Sequence, residues 1–104
     1  MTTPTLAILD LLSSVGPNEE LFGLRICQLA DLGSGTVYPI LDRLERAGWI
    51  VGEWEAEQPS GRPKRRAYRL TGDGATAYQR ALQVRAEKRR KWLPETLARL
   101  AGAR

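Results

Sequence analysis

The sequence has 104 residues, which is enough for one small domain, and it contains no His and a single Cys, Cys27. These counts exclude a disulfide framework and multi-cysteine metal sites, and they remove the commonest general base, so we expect neither an enzyme nor a bound cofactor or metal. Charge is uneven: residues 1–57 hold nine acids and three bases, whereas residues 58–104 hold three acids and thirteen bases. This asymmetry suggests a polyanionic partner for one region, although a solvated basic surface also explains it.

A first helix is predicted directly after the start of the sequence. Thr3 is a suitable N-cap, and Pro4 fits the first helical position because its missing N–H has no partner there. Apolar residues fall on two faces, which indicates contact with two surfaces, the helix's own core and a partner. One face holds Leu6, Leu9 and Leu12, and the other holds Ile8 and Leu11.

A turn at residues 16–18 separates this helix from a second one, predicted over residues 20–30. Apolar residues again occupy two sides of the helix, so we expect it to be buried over much of its surface. One side holds Phe22, Ile26 and Leu29, and the other holds Leu21, Leu24 and Cys27. Cys27 is interpreted as a small packed hydrophobe rather than a reactive thiol.

A third helix follows the break at residues 31–33, with Ser34 as its expected N-cap and Gly48 in the left-handed position after its end. Two helices joined by a three-residue turn form a helix-turn-helix. At 100° per residue, one sector of the third helix is apolar and the opposite face is small and polar. The apolar sector holds Val37, Ile40, Leu41 and Leu44, and the outward side holds Gly35, Thr36, Tyr38, Pro39, Asp42, Arg43 and Arg46.

Pro39 is unusual in this outward face. It lies in the second turn, where it removes a backbone hydrogen bond and crowds the carbonyl group of Gly35. A proline that interrupts the hydrogen bonds of a helix on its exposed face indicates a functional surface. The alternative is that proline is simply tolerated this early in a helix.

Two strands are predicted next, residues 49–55 and residues 66–70, joined by a basic loop rich in turn residues. A hairpin directly after a helix-turn-helix describes a winged helix. The expected fold class is therefore mainly α with a small β-hairpin, a winged helix-turn-helix with an extra C-terminal helix. Residues 1–4 have no basic region of the kind that starts a signal peptide, so a cytoplasmic location and no membrane partner are expected.

The last helix begins after Thr71, a good N-cap, with Asp73 in its first turn. Its basic run at residues 85–91 is interpreted as a solvated face, with a DNA contact or an acidic partner as alternatives. Trp92 and Leu93 close the helix before Pro94. Its apolar positions are Ala75, Tyr78, Ala81, Leu82 and Val84, and Leu97 and Leu100 indicate a short final turn.

These elements favour binding to double-stranded DNA. A helix that enters the major groove presents its N-terminal residues to the bases, and hydroxyl and amide groups there suit phosphate oxygens. The residues that the third helix presents are Ser34, Gly35, Thr36, Tyr38, Pro39, Arg43 and Arg46. The wing adds Gly61, Arg62, Lys64 and Arg65, with Arg62 placed for a narrow minor groove. Asp42 opposes the phosphate charge unless it pairs with Arg46.

The run of residues 35–50, GTVYPILDRLERAGWI, resembles the recognition helix of PadR-type transcriptional regulators. Residues 61–74, GRPKRRAYRLTGDG, resemble that family's wing, second strand and start of the last helix. A looser match extends over residues 5–82. Two residues depart from the usual pattern: Leu24 stands where an aromatic residue is usual, and Gly72 where a polar or acidic one is.

The resemblance implies a homodimeric repressor whose wing and recognition helix bind operator DNA and whose last helix forms the dimer. It also implies that a large separate effector domain is absent. Release of the DNA by a small hydrophobic effector is a further expectation. Residues 1–72 would form the DNA-binding domain and residues 73–104 the dimerisation helix. Trp92 is assigned to packing, with a ligand contact as the alternative. A winged-helix module that binds a protein instead of DNA is the competing function. The expected dimer contacts are Leu6, Leu9, Tyr78, Leu82, Trp92 and Leu93.

Overall fold

The computed structural model describes residues 1–16, 19–56 and 61–92. Within these ranges the chain forms four helices and a three-stranded sheet, which confirms the expected mainly α class. The predicted turn at residues 17 and 18, loop residues 57–60 and everything from Leu93 onward lie outside the described residues. In chain order the elements are α1 (Thr3–Ser14), β1 (Leu21–Phe22), α2 (Gly23–Ala30), α3 (Ser34–Arg46), β2 (Ile50–Trp54), β3 (Arg66–Leu70) and α4 (Gly72–Trp92).

Helix α1 packs into the centre of its own chain. Its N-cap is Thr2 rather than Thr3, and the Thr2 hydroxyl accepts a hydrogen bond from the backbone N–H of Thr5 at 3.4 Å. Both apolar faces are used internally, because Ile8 and Leu9 are fully buried and Leu6 and Leu12 nearly so. Leu6 and Leu9 thus pack in the chain's own core, and their expected contact with a second subunit stays a prediction.

The region predicted as one helix over residues 20–30 is a short strand followed by α2. Leu21 and Phe22 form β1, which pairs with Tyr68 and Ala67 of β3, and the helix begins only at Gly23. The expectation of broad burial is also wrong, since Leu24 is 61% exposed and only the Gly23 and Ile26 face of α2 is buried. Cys27 packs against the core as predicted.

Helix α3 carries the apolar sector that the sequence predicts. Val37, Ile40, Leu41 and Leu44 are all buried against the other elements. The N-cap is Gly33 rather than Ser34: the Gly33 carbonyl accepts hydrogen bonds from the backbone N–H groups of Thr36 and Val37, each at 3.0 Å. Gly48 has φ +79° after the helix end, which confirms the predicted left-handed position.

The sheet has the strand order β1-β3-β2, and both pairs are antiparallel. The β2–β3 register runs from Ile50 opposite Leu70 to Trp54 opposite Arg66. Strand β3 has the predicted bounds, and β2 is one residue shorter than predicted at each end. The strands lead away from the core toward the loop that contains residues 61–65, so this loop is the wing.

The first half of helix α4 packs on the core, and further along the helix the Arg85 guanidinium group donates a hydrogen bond to the Thr3 hydroxyl of α1 at 3.1 Å. The Thr71 hydroxyl caps it by accepting a hydrogen bond from the Gly74 N–H at 3.0 Å. A Cβ atom at Gly74 would lie 1.9 Å from the Trp49 carbonyl oxygen, so glycine is required for this approach. The buried Tyr78 hydroxyl donates a hydrogen bond to the Asp10 carboxylate at 2.6 Å. Residues 82–92 are all exposed.

Candidate nucleic-acid interface

The outward face of α3 is exposed along its whole length, as predicted. Its first turn presents only small residues, so a flat or grooved partner can approach the backbone N–H groups at the helix N-terminus closely. Opposite this face the helix is anchored by its buried aliphatic side chains. The exposed residues that the structure brings together here are Ser34, Gly35, Thr36, Tyr38, Pro39, Arg43 and Arg46.

Pro39 lies inside α3 and is exposed. A proline at this position cannot donate the hydrogen bond that would reach the carbonyl group of Gly35, four residues earlier. The helix nevertheless continues from Ser34 to Arg46. The proline ring therefore adds a rigid apolar surface to the outward face without ending the helix.

Tyr38 connects α3 with the beginning of α2. A Cβ atom built at Gly23 would lie 2.6 Å from the Tyr38 hydroxyl oxygen, so the tyrosine ring occupies the space that a side chain at position 23 would need. Partial burial, followed by the nearby Cys27 thiol, raises the pKa of Tyr38. Gly23 thus leaves the space in which the Tyr38 ring lies on the outward side of α3.

The charges of α3 are partly balanced within the helix. Arg46 pairs with Asp42 at 3.0 Å, one turn earlier, which is the pairing that the sequence predicts. Both side chains are largely exposed, at 79% and 58%, so this ion pair contributes little to stability and is easily exchanged for another partner. Arg43 lies beside them on the same exposed face.

The wing is organised around one acidic side chain, Glu55. Its carboxylate accepts hydrogen bonds from the Arg65 guanidinium group at 2.9 and 3.1 Å and from the Arg62 guanidinium group at 3.3 and 3.4 Å. Hydrogen bonding from the Arg65 side chain is the main cause that lowers the pKa of Glu55 to about 2, and the same contact raises the pKa of Arg65. The wing arginines therefore already have an anionic partner.

Arg65 has a further contact: its guanidinium carbon lies 3.9 Å from the centre of the Phe22 ring. This cation–π contact joins the wing to β1. Arg65 thus supports the wing from within, and because its side chain is 42% exposed, its predicted contact with DNA stays a prediction. Lys64, in contrast, is exposed at the loop, and no ion pair joins it to another described residue.

Arg66 joins the wing to the recognition helix. It forms an ion pair with Glu45 of α3, and its guanidinium carbon lies 5.3 Å from the Trp54 ring centre and 5.9 Å from the Tyr68 ring centre. A Cβ atom at Gly52 would lie 2.6 Å from the Arg66 Nε atom, so glycine leaves the space that this side chain crosses. Burial is the first cause that raises the pKa of Tyr68. The ion pair between Arg66 and Glu45 thus holds the wing beside α3.

A groove of about 470 Å³ separates α3 from the wing. Tyr38 borders it on the α3 side, and residues 62–66 border it on the wing side, with Phe22, Leu24 and Trp54 completing its walls. The two predicted contact regions therefore lie on either side of a common groove. This arrangement suits a DNA double helix if one protein element enters a groove of the DNA and the other contacts the phosphate backbone beside it.

The predicted dimer contacts fall into three groups. Tyr78, like Leu6 and Leu9, is buried in its own chain, and its contact with a second chain stays a prediction. Leu82 and Trp92 are exposed, at 38% and 82%, and Val84 beside them is 52% exposed. Leu93 lies outside the described residues. A second cavity, of about 810 Å³, lies between α1 and α4 and is bordered by Trp49, Val84, Arg80 and Arg85.

Sequence reasoning missed Glu55, Glu45 and Gly23, none of which was named as a site residue. Glu55 and Arg65 are near neighbours across the hairpin, so an acid opposite a basic run was the available signal. Within the described ranges, no three His, Cys, Asp or Glu side chains converge as metal ligands would. None of the helices in those ranges combines the length and apolar character that a membrane crossing needs.

The fold and the site together define a winged-helix protein of the regulator class. A structure of a PadR family transcription regulator from Clostridium difficile aligns with a TM-score of 0.68 and 26% identity, covering 85% of this chain and 93% of the other. A PadR-like transcription factor from Bacteroides fragilis aligns with a TM-score of 0.68 and 28% identity, covering 84% of each chain. The comparison with curated proteins gave no match.

Bacillus subtilis PadR, whose structure was solved in complex with operator DNA, shares the fold at a TM-score of 0.65 and 22% identity. The alignment covers 78% of this chain, but the chain spans only about half, 48%, of that protein. The model of the transcriptional regulator PadR-like family matches residues 11–80. The chain therefore belongs to the PadR-like family of transcriptional regulators.

Proposed function

We propose that the protein is a repressor that binds a two-fold symmetric DNA site as a homodimer. The observation that carries this proposal is the common groove, with Tyr38 of the exposed α3 face on one side and the basic wing on the other. In the proposed complex, the first turns of α3 enter the major groove, and Arg62 and Lys64 of the wing contact phosphates or the adjacent minor groove.

The two surfaces would contribute differently to binding. Side chains of α3 that reach base edges distinguish one sequence from another, whereas wing contacts with phosphates raise the affinity for any sequence. Related structures give further support, since Bacillus subtilis PadR and Staphylococcus aureus MepR were each solved in complex with DNA. Within the proposal, residues 1–72 form the DNA-binding part and residues 73–104 the dimerisation helix.

The dimer is supported by the part of α4 that leaves the core. Leu82, Val84 and Trp92 are exposed on the part of α4 that follows its packed first half. A second copy that covers these side chains would remove them from water, and two copies would match two half-sites on the DNA. A small hydrophobic effector would have access to both α1 and α4 through the cavity of about 810 Å³ between them.

The test is a gel-shift titration against the DNA upstream of the protein's own gene, together with selection of binding sites from a pool of random duplexes. We expect a dimer on a sizing column, a retarded complex, and affinity that falls steeply as salt rises. A monomer that retains no DNA at moderate salt would overturn the proposal. If a pull-down then recovers one specific protein partner, the competing function as a protein-binding module is correct.

A further inference from the structure

Trp54 is a large exposed aromatic residue at the end of β2. It is 64% exposed, which is unusual because tryptophan is on average one of the more buried residues. Two further large apolar residues, Leu24 and Tyr38, are exposed at the same groove between α3 and the wing. Exposed apolar side chains that gather in one place mark a contact surface more strongly than single ones do.

The Trp54 ring is supported from one side only. The pleat of the sheet places Trp54 on the same face as Arg66, its partner across the β2–β3 pair, and Tyr68. The Arg66 guanidinium carbon lies 5.3 Å from the centre of the Trp54 ring, and Arg66 also pairs with Glu45 of α3. The ring is therefore positioned by a cation–π contact while most of its surface remains open to solvent.

Trp54 lies between the wing and α3. The groove of about 470 Å³ that it borders leads to residues 62–66 of the wing. A second hollow, of about 640 Å³, also has Trp54 on its border and extends along α3 to Asp42 and Arg46. Any partner that contacts α3 and the wing at the same time must therefore pass over the Trp54 ring.

A DNA duplex presents a defined chemical group at such a position. Adjacent major and minor grooves are separated by one sugar–phosphate strand, so a protein with α3 in the major groove and a wing at the adjacent minor groove has that strand between them. The deoxyribose rings of this strand expose apolar C–H groups between the phosphates. A flat indole ring offers an apolar surface of the same kind.

We propose that Trp54 is a DNA-contacting residue whose ring packs on deoxyribose groups of the strand that passes between α3 and the wing. Sugar contacts carry no sequence information of their own, so this contact raises the affinity for every duplex. It is apolar, so it neutralises no phosphate. The inference rests on the proposed function, because it requires that α3 and the wing meet the same duplex.

A sugar contact of this kind has a distinct experimental signature. Loss of a phosphate contact lowers affinity for every duplex and makes the salt slope shallower. Loss of a base contact lowers affinity mainly for the sequence that is read. Loss of an apolar sugar contact lowers affinity for every duplex and leaves the salt slope unchanged, because the contact releases no counterion.

The test uses Trp54→Ala, Trp54→Phe and a control, Val51→Ala. Val51 is a matched control because it is an apolar residue of the same strand, and the pleat places it on the opposite face of the sheet. Each protein is titrated at several salt concentrations against a duplex of random sequence and against the duplex obtained by selection. Tryptophan fluorescence is recorded during the same titrations.

For Trp54→Ala we expect affinity for both duplexes to fall about fivefold, the effect of withdrawing about 40 Å² of apolar surface from a contact, with an unchanged salt slope. Val51→Ala should bind both duplexes as the wild type does, and DNA should quench the tryptophan fluorescence of both proteins. Trp54→Phe keeps an aromatic ring and most of the affinity. Most of its quenching should be lost, because Trp49 borders the cavity beside α4 and Trp92 ends α4.

Three results would overturn the inference while leaving the proposed function intact. If DNA quenches Trp54→Phe as strongly as the wild type, the ring does not touch DNA, and this result holds even if Trp54→Ala does not fold. If Trp54→Ala has a shallower salt slope, or Val51→Ala loses as much affinity, Trp54 only supports the shape of the hairpin. If Trp54→Ala binds only the selected duplex more weakly, the ring contacts bases and not sugars.

Failure of the proposed function has a different outcome. In that case neither the wild type nor any variant binds a duplex at low salt, and DNA leaves the fluorescence of every protein unchanged. Circular dichroism of each variant shows whether it is folded.

Discussion

The recognition helix α3 and the wing both face the same groove, yet they use charge in different ways. On α3 the pair between Asp42 and Arg46 is exposed, and most of the remaining outward face is small or uncharged. In the wing, one partly exposed acid, Glu55, gathers two arginines, and Lys64 stands outside this cluster. Under the proposed function, α3 would distinguish one DNA sequence from another, whereas the wing would supply affinity for any sequence.

The largest effect is expected when the wing loses its outer charge. In the double variant Arg62→Ala/Lys64→Ala, affinity for any duplex should fall on the order of tenfold, and the magnitude of the salt slope should fall by about 1.8, or about 0.9 for each lost phosphate contact. Fluorescence anisotropy with labelled duplexes measures both quantities. An unchanged slope would show that the wing does not contact phosphates.

A smaller and more selective effect is expected when the Tyr38 ring is displaced. Gly23→Ala places a methyl group where the Tyr38 hydroxyl lies, so the ring must move although α3 itself is unchanged. Affinity for the selected duplex should fall about fivefold, or about 1 kcal/mol, the lower end of the value of one base contact, and the salt slope should stay constant.

The matched control for Gly23→Ala is Gly72→Ala, since an added Cβ atom at position 72 meets nothing within 4 Å. This control should bind both duplexes as the wild type does. If Gly23→Ala weakens binding to random and selected duplexes equally, Tyr38 does not take part in sequence discrimination.

A modest effect is expected when the exposed pair on α3 is broken. Asp42→Asn leaves Arg46 without its ionic partner, and binding to random DNA should tighten about twofold to threefold with a salt slope steeper by less than about one phosphate contact. The change should be this small because exposed pairs restrain their members weakly. Binding that weakens or stays unchanged would show that Arg46 gains no contact with DNA when its partner is lost.

The smallest effect concerns pH. A carboxylate whose folded-state pKa lies below its usual value of 4.5 stabilises the folded chain fully above that value and loses this contribution as pH falls toward about 2. The difference in free energy of unfolding between wild type and Glu55→Gln should therefore be constant from pH 5 to 8 and shrink below pH 4.5. Urea unfolding at each pH measures it. A difference that varies between pH 5 and 8 would contradict the assignment, and the sequence has no His to cause one.

Much of the fold could be predicted because its signals are local. The apolar sector of α3, the left-handed Gly48, the Thr71 cap and the bounds of β3 all follow from spacing and from single-residue preferences. Strand β1 could not be predicted, because a two-residue strand has no period and exists only through its pairing with β3. For the same reason its residues were assigned to the following helix.

The candidate site could be predicted in its exposed part but not in its internal contacts. Exposure of the α3 face follows from helical periodicity. The position of Arg65 depends on Phe22, which is distant in sequence and is brought near by the sheet. The contact between Arg66 and Glu45 likewise depends on how the hairpin crosses α3. Burial of Leu9 and Tyr78 in one chain depends on how α1 and α4 pack against the other elements, which helical periodicity does not show.

The most direct test of the account is one salt titration of three proteins, wild type, Arg62→Ala/Lys64→Ala and Gly23→Ala, each on the random and the selected duplex. We predict that the wing variant loses affinity for both duplexes in equal proportion with a shallower salt slope, and that the Gly23 variant loses affinity only for the selected duplex with the slope unchanged. If the two variants change affinity and salt slope in the same way on both duplexes, the division of roles between the wing and α3 is contradicted.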